Sequence, residues 1–242
     1  MTVAVVMPAW NEAEGIAEFI LEIEQSLYLE NPIFIVIDDC STDLTAENAR
    51  EVAGRNINIT VLTNHKNSGH GPSTLTALRM GLDTGAEIVV AVDGDGQFTG
   101  QDIAKVYAEL KNNSFDLVEG VRVTRHDPVY RRAASLATRH LVAVRAHELP
   151  RDANTPLRAY RSEVLKELLQ KVPSETLIPN LFISAISRKM KLSIGLVDVS
   201  FIPRRGSTVT GTTWGKSKSY LPSKRFLKFC FNASRDWVTT RI

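Results

Sequence analysis

The sequence predicts an α/β fold, a mostly parallel central sheet flanked by helices on both faces. Three observations predict it. The first 120 or so residues alternate short apolar runs with stretches of helical period. The apolar runs are continuous rather than alternating, as strands buried on both faces are. Three of the runs stop abruptly in polar clusters, which a parallel sheet gathers at one edge, beyond the carboxyl ends of its strands.

In order, Val3–Met7 is a short β-rich run closed by Pro8, and Glu12 to about Leu29 carries apolar residues at helical spacing (Ile16, Ile20, Ile23, Leu27). Ile33–Ile37 is a second buried strand ending at Asp38-Asp39. Ser41-Thr42-Asp43 reads as an N-cap for a helix around Thr45–Ala53. Ile57–Leu62 is a third strand, Gly71–Gly81 a helix that starts at glycines, and Glu87–Val92 a fourth strand. A helix follows Thr99, and Asp116–Val121 is a fifth strand. The pattern then loosens. Val129–His147 is an arginine-rich helix, Asn154–Tyr160 a strand or loop, Ser162–Gln170 and Leu181–Met190 helices, and Leu192–Phe201 a strand. No repeat and no linker divides the chain. It reads as one domain with a first half over 1–121, a second over 122–206, and a tail over 207–242 made of a mobile Gly/Ser/Thr-rich loop and an amphipathic helix.

Composition bounds the function. The 242 residues are 43% hydrophobic, with no run of the ~18 apolar residues that would suggest a membrane span. MTVAVVMPAW lacks a basic n-region and a small-residue cleavage site, so a cytoplasmic location is expected. Cys40 and Cys230 have neither metal spacing nor a disulfide framework. The net charge of +2 conceals an asymmetry: residues 1–121 hold 6 basic and 19 acidic side chains, and residues 122–242 hold 23 and 8. Two solvated faces of opposite sign would explain this, as would a second half that meets phosphates, a pyrophosphate or an acidic membrane surface. No nucleic-acid partner is expected.

The chemistry sits at the strand ends Pro8-Ala9-Trp10-Asn11-Glu12, Asp38-Asp39-Cys40-Ser41 and Asp93-Gly94-Asp95-Gly96-Gln97. Asp93 and Asp95, at i and i+2 of an extended segment, point to one side. Two adjacent carboxylates repel unless a cation or proton lies between them. Mg²⁺ typically takes one or two carboxylates plus substrate phosphates, and Gln97 offers a neutral oxygen. An Asp-Gly turn is the competing reading; the coincidence with the two other strand ends favours the ligand.

These stretches, with Asp43 and Asn67-Ser68-Gly69-His70-Gly71, resemble the family 2 glycosyltransferases of GT-A fold, and within them the dolichol-phosphate and polyprenol-phosphate mannosyltransferases. The resemblance covers roughly residues 3–206. It implies that Pro8, Ala9, Trp10 and Glu12 hold a nucleotide base, with Asp38 and Asp39 on the base or ribose and Asp93 and Gly94 beside the nucleotide. It implies that Asp93, Asp95 and Gln97 bind Mg²⁺ or Mn²⁺ against the donor diphosphate. Arg122 matches a phosphate-facing arginine, and Arg131, Arg132, Arg204 and Lys216 are further candidates for donor or acceptor phosphates. Asp152-Ala153-Asn154-Thr155-Pro156-Leu157-Arg158 resembles a stretch that usually reads Asp-x-Thr-Ser-Gly-Phe-Arg, and Cys40 stands where glycine is usual.

The implied activity is inverting transfer of a sugar, with GDP-mannose as first donor because guanine offers Glu12 two N–H groups. The implied acceptor is a polyprenyl phosphate. With Asp95 and Arg122 as catalytic groups, a phosphate acceptor needs no base, whereas a hydroxyl acceptor needs a carboxylate, for which Asp152 is the candidate. A UDP-sugar transferase acting on a hydroxyl, a sugar-1-phosphate nucleotidyltransferase and a non-catalytic nucleotide-sugar binding subunit are the alternatives. The third is disfavoured by the complete Asp93-Asp95-Gln97 set, and the second by the lack of an early glycine-rich phosphate loop. From 122 to 161 there are nine arginines, of which at most three or four are expected at phosphates. Gly211–Ser217 is one residue short of a P-loop, and His65 and His70 read as surface or loop residues. The tail from Pro222 to Trp237 mixes cations with aromatics, suiting either docking on the protein's own core or a membrane interface.

Overall fold

A computed structural model describes residues 1–55, 57–123, 129–205 and 223–240, the side chains of Val129 and Arg131 excepted. Seven strands, β1 (Val3–Ala9), β2 (Ile33–Asp38), β3 (Ile59–Thr63), β4 (Ile88–Ala91), β5 (Leu117–Arg122), β6 (Arg158–Arg161) and β7 (Ile194–Val199), form one sheet in the order β3-β2-β1-β4-β6-β5-β7. All run parallel except β6, which is antiparallel to both its neighbours, β4 and β5. Among the described residues eight α-helices cover it: α1 (Ile16–Ser26), α2 (Thr45–Glu51), α3 (His70–Asp83), α4 (Gly100–Asn112), α5 (Val129–Ala146), α6 (Ser162–Lys171), α7 (Pro179–Lys189) and α8 (Lys224–Thr239).

The continuous apolar strands are buried as expected: every residue of β1 and β4 is buried. Alternation within β1 divides the core. Val3, Val5 and Met7 face Ile16, Phe19, Ile20 and Ile23 of α1 and Ile103, Val106 and Leu110 of α4. Ala4 and Val6 face α3, α6 and α7, with Trp237 of α8 on that side too. Each fully buried aliphatic side chain contributes about 1.5–3 kcal/mol.

Of the boundaries that differ from the sequence reading, three bear on the site. β1 continues through Pro8 to Ala9 because its pairing with β4 stops at Val6 opposite Ala91, leaving β2 as the neighbour, so a residue without an N–H is tolerated there. Residues 12–15 form a turn rather than helix, and α1 starts at Ile16. The strand expected over 154–160 starts only at Arg158 and runs to Arg161. The loop expected after 206, with Lys216, lies outside the described residues, and so does Arg125.

Candidate active site

Because β1, β2, β4, β5 and β7 are mutually parallel, their carboxyl ends share one edge. Antiparallel β6 brings the chain entering it, with Asp152, to the same edge. The residues singled out at 8–12, 38–41, 93–97, 122, 152 and 204 are thereby gathered along one rim.

On the β1–β2 side, carboxylates organise backbone. Asn11 donates its N–H to Ser41 Oγ at 2.9 Å and accepts from Thr42 N–H at 2.8 Å; Glu12 N–H donates to Thr45 Oγ1 at 2.7 Å. Asp43 accepts from the N–H of Ala13 and Thr45, tying the first residue of α2 to the 10–13 turn; the N-cap itself is Leu44, beyond the Ser41-Thr42-Asp43 expected, and no side chain caps it. Asp39, buried, accepts from Ser68 N–H, Gly69 N–H and Asn64 Nδ2, all at 2.8 Å, and so shapes the loop that leads into α3. Asp38 accepts from Ser41 N–H at 3.2 Å. Cys40 sits at φ 58, in the left-handed region, which is the physical reason a glycine suits that position. Trp10, half-buried, stands at the rim after Ala9.

The Asp93–Gln97 loop follows β4. A Cβ on Gly94 would stand 3.0 Å from both Ala9 Cβ and the Pro8 carbonyl, so glycine lets the loop press against the end of β1. Gly96 has φ 66 and packs against the Arg205 side chain. Asp95 lies deep in this loop with part of its surface open; burial, and then the charge of Asp93, push its carboxyl up to about 7. A carboxylate pair this reluctant to be doubly charged fits a hard divalent cation, which would reverse the repulsion. Among the described residues no group of three or more His, Cys, Asp or Glu is arranged around a metal. The protein's share would be the two carboxylates, with substrate oxygens completing the shell, as suits Mg²⁺ or Mn²⁺. Gln97 donates its side-chain amide to the Ile202 carbonyl at 3.3 Å. His70, in the first turn of α3, places Nε2 3.6 Å from Asp93 Oδ1.

Residues 202–205 strap this loop. Ile202 N–H donates to Gln97 O at 3.0 Å and Arg205 N–H to Asp95 O at 3.2 Å. Arg205 pairs with Glu22 and stacks over Phe19 at 5.1 Å. Arg204 reaches across to Glu12 with a two-pronged ion pair, one prong Nε to Oε2 at 2.8 Å. Desolvation pushes the Arg204 guanidinium down to about 10.

On the β5 side, Arg122 grips Asp152 with two bonds, 2.7 Å from Nε and 3.0 Å from the terminal nitrogen, and stacks over Phe201 at 5.2 Å. Asp152 is buried. Behind this pair lies a fully buried ionic cluster. Glu119, on β5 three residues before Arg122, pairs with Arg158 at 3.3 Å and Arg188 at 2.7 Å. Arg158 also donates to the carbonyls of Asn180 at 2.9 Å and Ala153 at 3.1 Å. It therefore fixes the residue next to Asp152.

A family model described as glycosyl transferase family 2 matches residues 4–169. The chain belongs to that family. Among curated relatives, the UDP-N-acetylglucosamine–dolichyl-phosphate N-acetylglucosaminyltransferase of Methanococcus voltae is 26% identical over 86% of this chain and 88% of its own. The undecaprenyl-phosphate 4-deoxy-4-formamido-L-arabinose transferase of Edwardsiella ictaluri is 29% identical over 79% of this chain, which spans 59% of that protein. Of solved structures, glucosyl-3-phosphoglycerate synthase from Mycobacterium tuberculosis, in complex with Mn²⁺ and UDP-glucose, superposes with a TM-score of 0.62 at 22% identity, covering 86% of this chain and 73% of that one. The sheet is the GT-A arrangement expected from the sequence, and the protein is a glycosyltransferase.

Within the family frame, the rim brings together Pro8, Ala9, Trp10, Glu12, Asp38, Asp39, Asp93, Gly94, Asp95, Gln97, Arg122, Asp152 and Arg204. It does not bring in Arg132, which is exposed on α5; the Arg131 side chain and Lys216 lie outside the described residues. His70, read in the sequence as a surface or loop residue, is exposed, but it stands in the first turn of α3 within reach of Asp93. Sequence reasoning missed the Glu12–Arg204 pair, whose partners are 192 residues apart and carry no local signal.

Proposed function

We propose that this glycosyltransferase moves a sugar from a nucleotide diphosphate to the phosphate of a polyprenyl lipid, with inversion at the anomeric carbon. The observation that carries this reading is the state of Asp152. Asp152 is buried and both its oxygens accept from Arg122, so the carboxylate considered as base for a hydroxyl is engaged by a cation. An acceptor that is already anionic needs no base. The lipid-phosphate acceptors in the names of the M. voltae and E. ictaluri relatives agree with it.

In the step itself, an acceptor phosphate oxygen bonds to the anomeric carbon as the bond from that carbon to the nucleotide β-phosphate oxygen breaks, and the nucleoside diphosphate leaves. Arg122, held by Asp152 and Phe201, presents a guanidinium to the acceptor phosphate. Pro8, Ala9, Trp10 and Gly94 form the wall for the nucleotide, with Asp38 and Asp39 beneath the ribose. Mg²⁺ or Mn²⁺ held by Asp93, Asp95 and Gln97 would neutralise the leaving diphosphate. Arg204 exchanges Glu12 for the donor diphosphate, and the freed Glu12 accepts N–H groups of the base. Guanine presents two on one edge, which puts GDP-mannose first; UDP-N-acetylglucosamine, named for the M. voltae relative, is second.

The test offers polyprenyl phosphate, free polyprenol and soluble sugars side by side with each donor. Transfer to polyprenyl phosphate alone is expected. Asp152→Asn should keep activity within about tenfold, because loss of a true general base costs 10²–10⁴-fold. Transfer only to hydroxyls, with a collapse in Asp152→Asn, would overturn the reading.

A further inference from the structure

Helix α8 has two faces put to different use. One docks on the protein: Trp237 is buried against Phe182, and Asp236 accepts from Thr176 Oγ1 at 2.5 Å and Leu177 N–H at 3.0 Å. The other carries Leu227, Phe231 and Val238, which are 54%, 70% and 74% exposed. Their spacing of four and seven residues makes them one stripe. Lys224, Lys228 and Arg235 follow the same helical period and form a second stripe beside it.

Helix α5 lies alongside. Tyr130 meets Phe226 edge-on at 5.3 Å near the start of both helices, and Arg145 stacks over Trp237 at 4.4 Å near the end of both, so the two run parallel. α5 adds Leu136 and Val144, both exposed. Charge on the two helices is nearly all of one sign. α5 has four arginines and no carboxylate; α8 has four cations and one carboxylate, Asp236, already engaged with the 176–177 turn. Exposed apolar stripes flanked by cations are the pattern of helices that lie in a bilayer interface.

We propose that the α5–α8 face docks the protein on an anionic membrane surface. Leu227, Phe231 and Val238 enter the boundary between headgroups and acyl chains, while Lys224, Lys228 and Arg235 meet lipid phosphates. The charge asymmetry orients the encounter, since the acidic residues 1–121 are repelled by the surface that attracts these helices. None of the described helices is long and apolar enough to cross a membrane, so this contact is peripheral. Its purpose rests on the lipid-phosphate reading: α5 begins seven residues after Arg122, so docking brings the acceptor side of the rim toward the bilayer.

The experiment is co-sedimentation of the full chain with phosphatidylcholine vesicles, with and without phosphatidylglycerol. Binding is expected only to the anionic vesicles, weakening as salt is added. Lys224→Ala/Lys228→Ala should weaken it roughly thirtyfold, at about fivefold per cation. Leu227→Glu/Phe231→Glu should abolish it, while Leu29→Glu, in an equally exposed position on the acidic half, should bind as wild type. Unchanged melting temperature and nucleotide affinity would exclude misfolding of the variants. Equal vesicle binding by wild type and Leu227→Glu/Phe231→Glu would overturn the assignment. So would absence of binding to anionic vesicles, or a dimer that this double variant dissociates, which would give the face to a second copy of the chain. Vesicle binding through this face without sugar transfer to any lipid phosphate would sink the proposed function and leave the docking surface standing. Transfer to a short, water-soluble polyprenyl phosphate with no vesicle binding would do the reverse.

Discussion

The two halves of the chain are built with opposite chemistry. In the first half, carboxylates accept backbone N–H groups: Asp39 from Ser68 and Gly69, Asp38 from Ser41, Asp43 from Ala13 and Thr45, and Glu22 from Gly100. In the second half, arginines donate to carbonyls. Arg139 bonds Pro150, Arg145 bonds Thr240, Arg158 bonds Ala153 and Asn180, and Arg161 bonds Phe115, Leu110 and Asn113. A large part of the charge asymmetry is therefore mortar for irregular backbone, which buried polar groups require. Four of the nine arginines between 122 and 161, namely Arg139, Arg145, Arg158 and Arg161, are engaged in this way.

The comparison is tested most sharply at Asp95, a first-half carboxylate that accepts from Gln97 N–H at 3.2 Å and that we propose also holds the metal. Asp95→Ala should lower transfer by about a thousandfold or more, the scale of a lost electrostatic clamp on developing charge, and EDTA should do the same to wild type. The fold should survive. A carboxyl raised from an ordinary 3.8 to about 7 is most favourable to stability below pH 3.8, and its contribution falls as pH rises through 7. In metal-free buffer Asp95→Asn should thus melt above wild type at pH 8 and equal to it near pH 4. Thermal melts at the two pH values check this, and a variant that melts lower at pH 8 would assign Asp95 a structural role.

How much of this was legible depended on which half the residue came from. β1 and β4 were plain in the sequence because both faces are buried and nothing polar interrupts Val3–Met7 or Ile88–Val92. β6 was not. It is four residues long and begins and ends in arginine, and its place in the sheet depends on Glu119 standing opposite Arg158. A buried arginine looks in sequence like an exposed one, so Arg158 and Arg188 were indistinguishable from phosphate ligands until the sheet placed Glu119 between them. The rim residues of the first half follow directly from strands that run into carboxylates. Glu12 and Arg204 each carried a separate expectation, and only the fold set them against one another.

The second-half mortar is tested at Arg158. Arg158→Met leaves Glu119 with one partner fewer in a site closed to water, and should cost about 3–5 kcal/mol in urea melts. Glu119→Leu/Arg158→Met should cost less than the sum of the single changes, since partners in one buried network do not add. Full additivity would mean that the two residues do not act as a pair.

Across the halves, Glu12 and Arg204 should separate by calorimetry. Glu12→Ala should weaken guanine nucleotides by about 1–3 kcal/mol, the scale of hydrogen bonds to a charged group, and leave uracil nucleotides nearly unchanged. Arg204→Ala should weaken every nucleoside diphosphate alike and spare free nucleosides. If both variants shift GDP and UDP equally, the exchange of partners at Arg204 fails and Glu12 serves only to hold the strap.

The smallest effect sharpens the first-half comparison, because it concerns backbone alone. Cys40 follows the two aspartates at the end of β2 and adopts φ 58, where a side chain crowds the following carbonyl. Asp39 just before it is pinned by three N–H bonds of 2.8 Å, so the turn cannot relax without releasing the loop into α3. Cys40→Gly should relieve that crowding while adding chain entropy to the unfolded state, and the net should be stabilising by up to about 1 kcal/mol. Cys40→Ala keeps the Cβ and should gain nothing. Equal melting temperatures for glycine and alanine would mean that the relief of Cβ crowding is no larger than the entropy glycine adds to the unfolded chain.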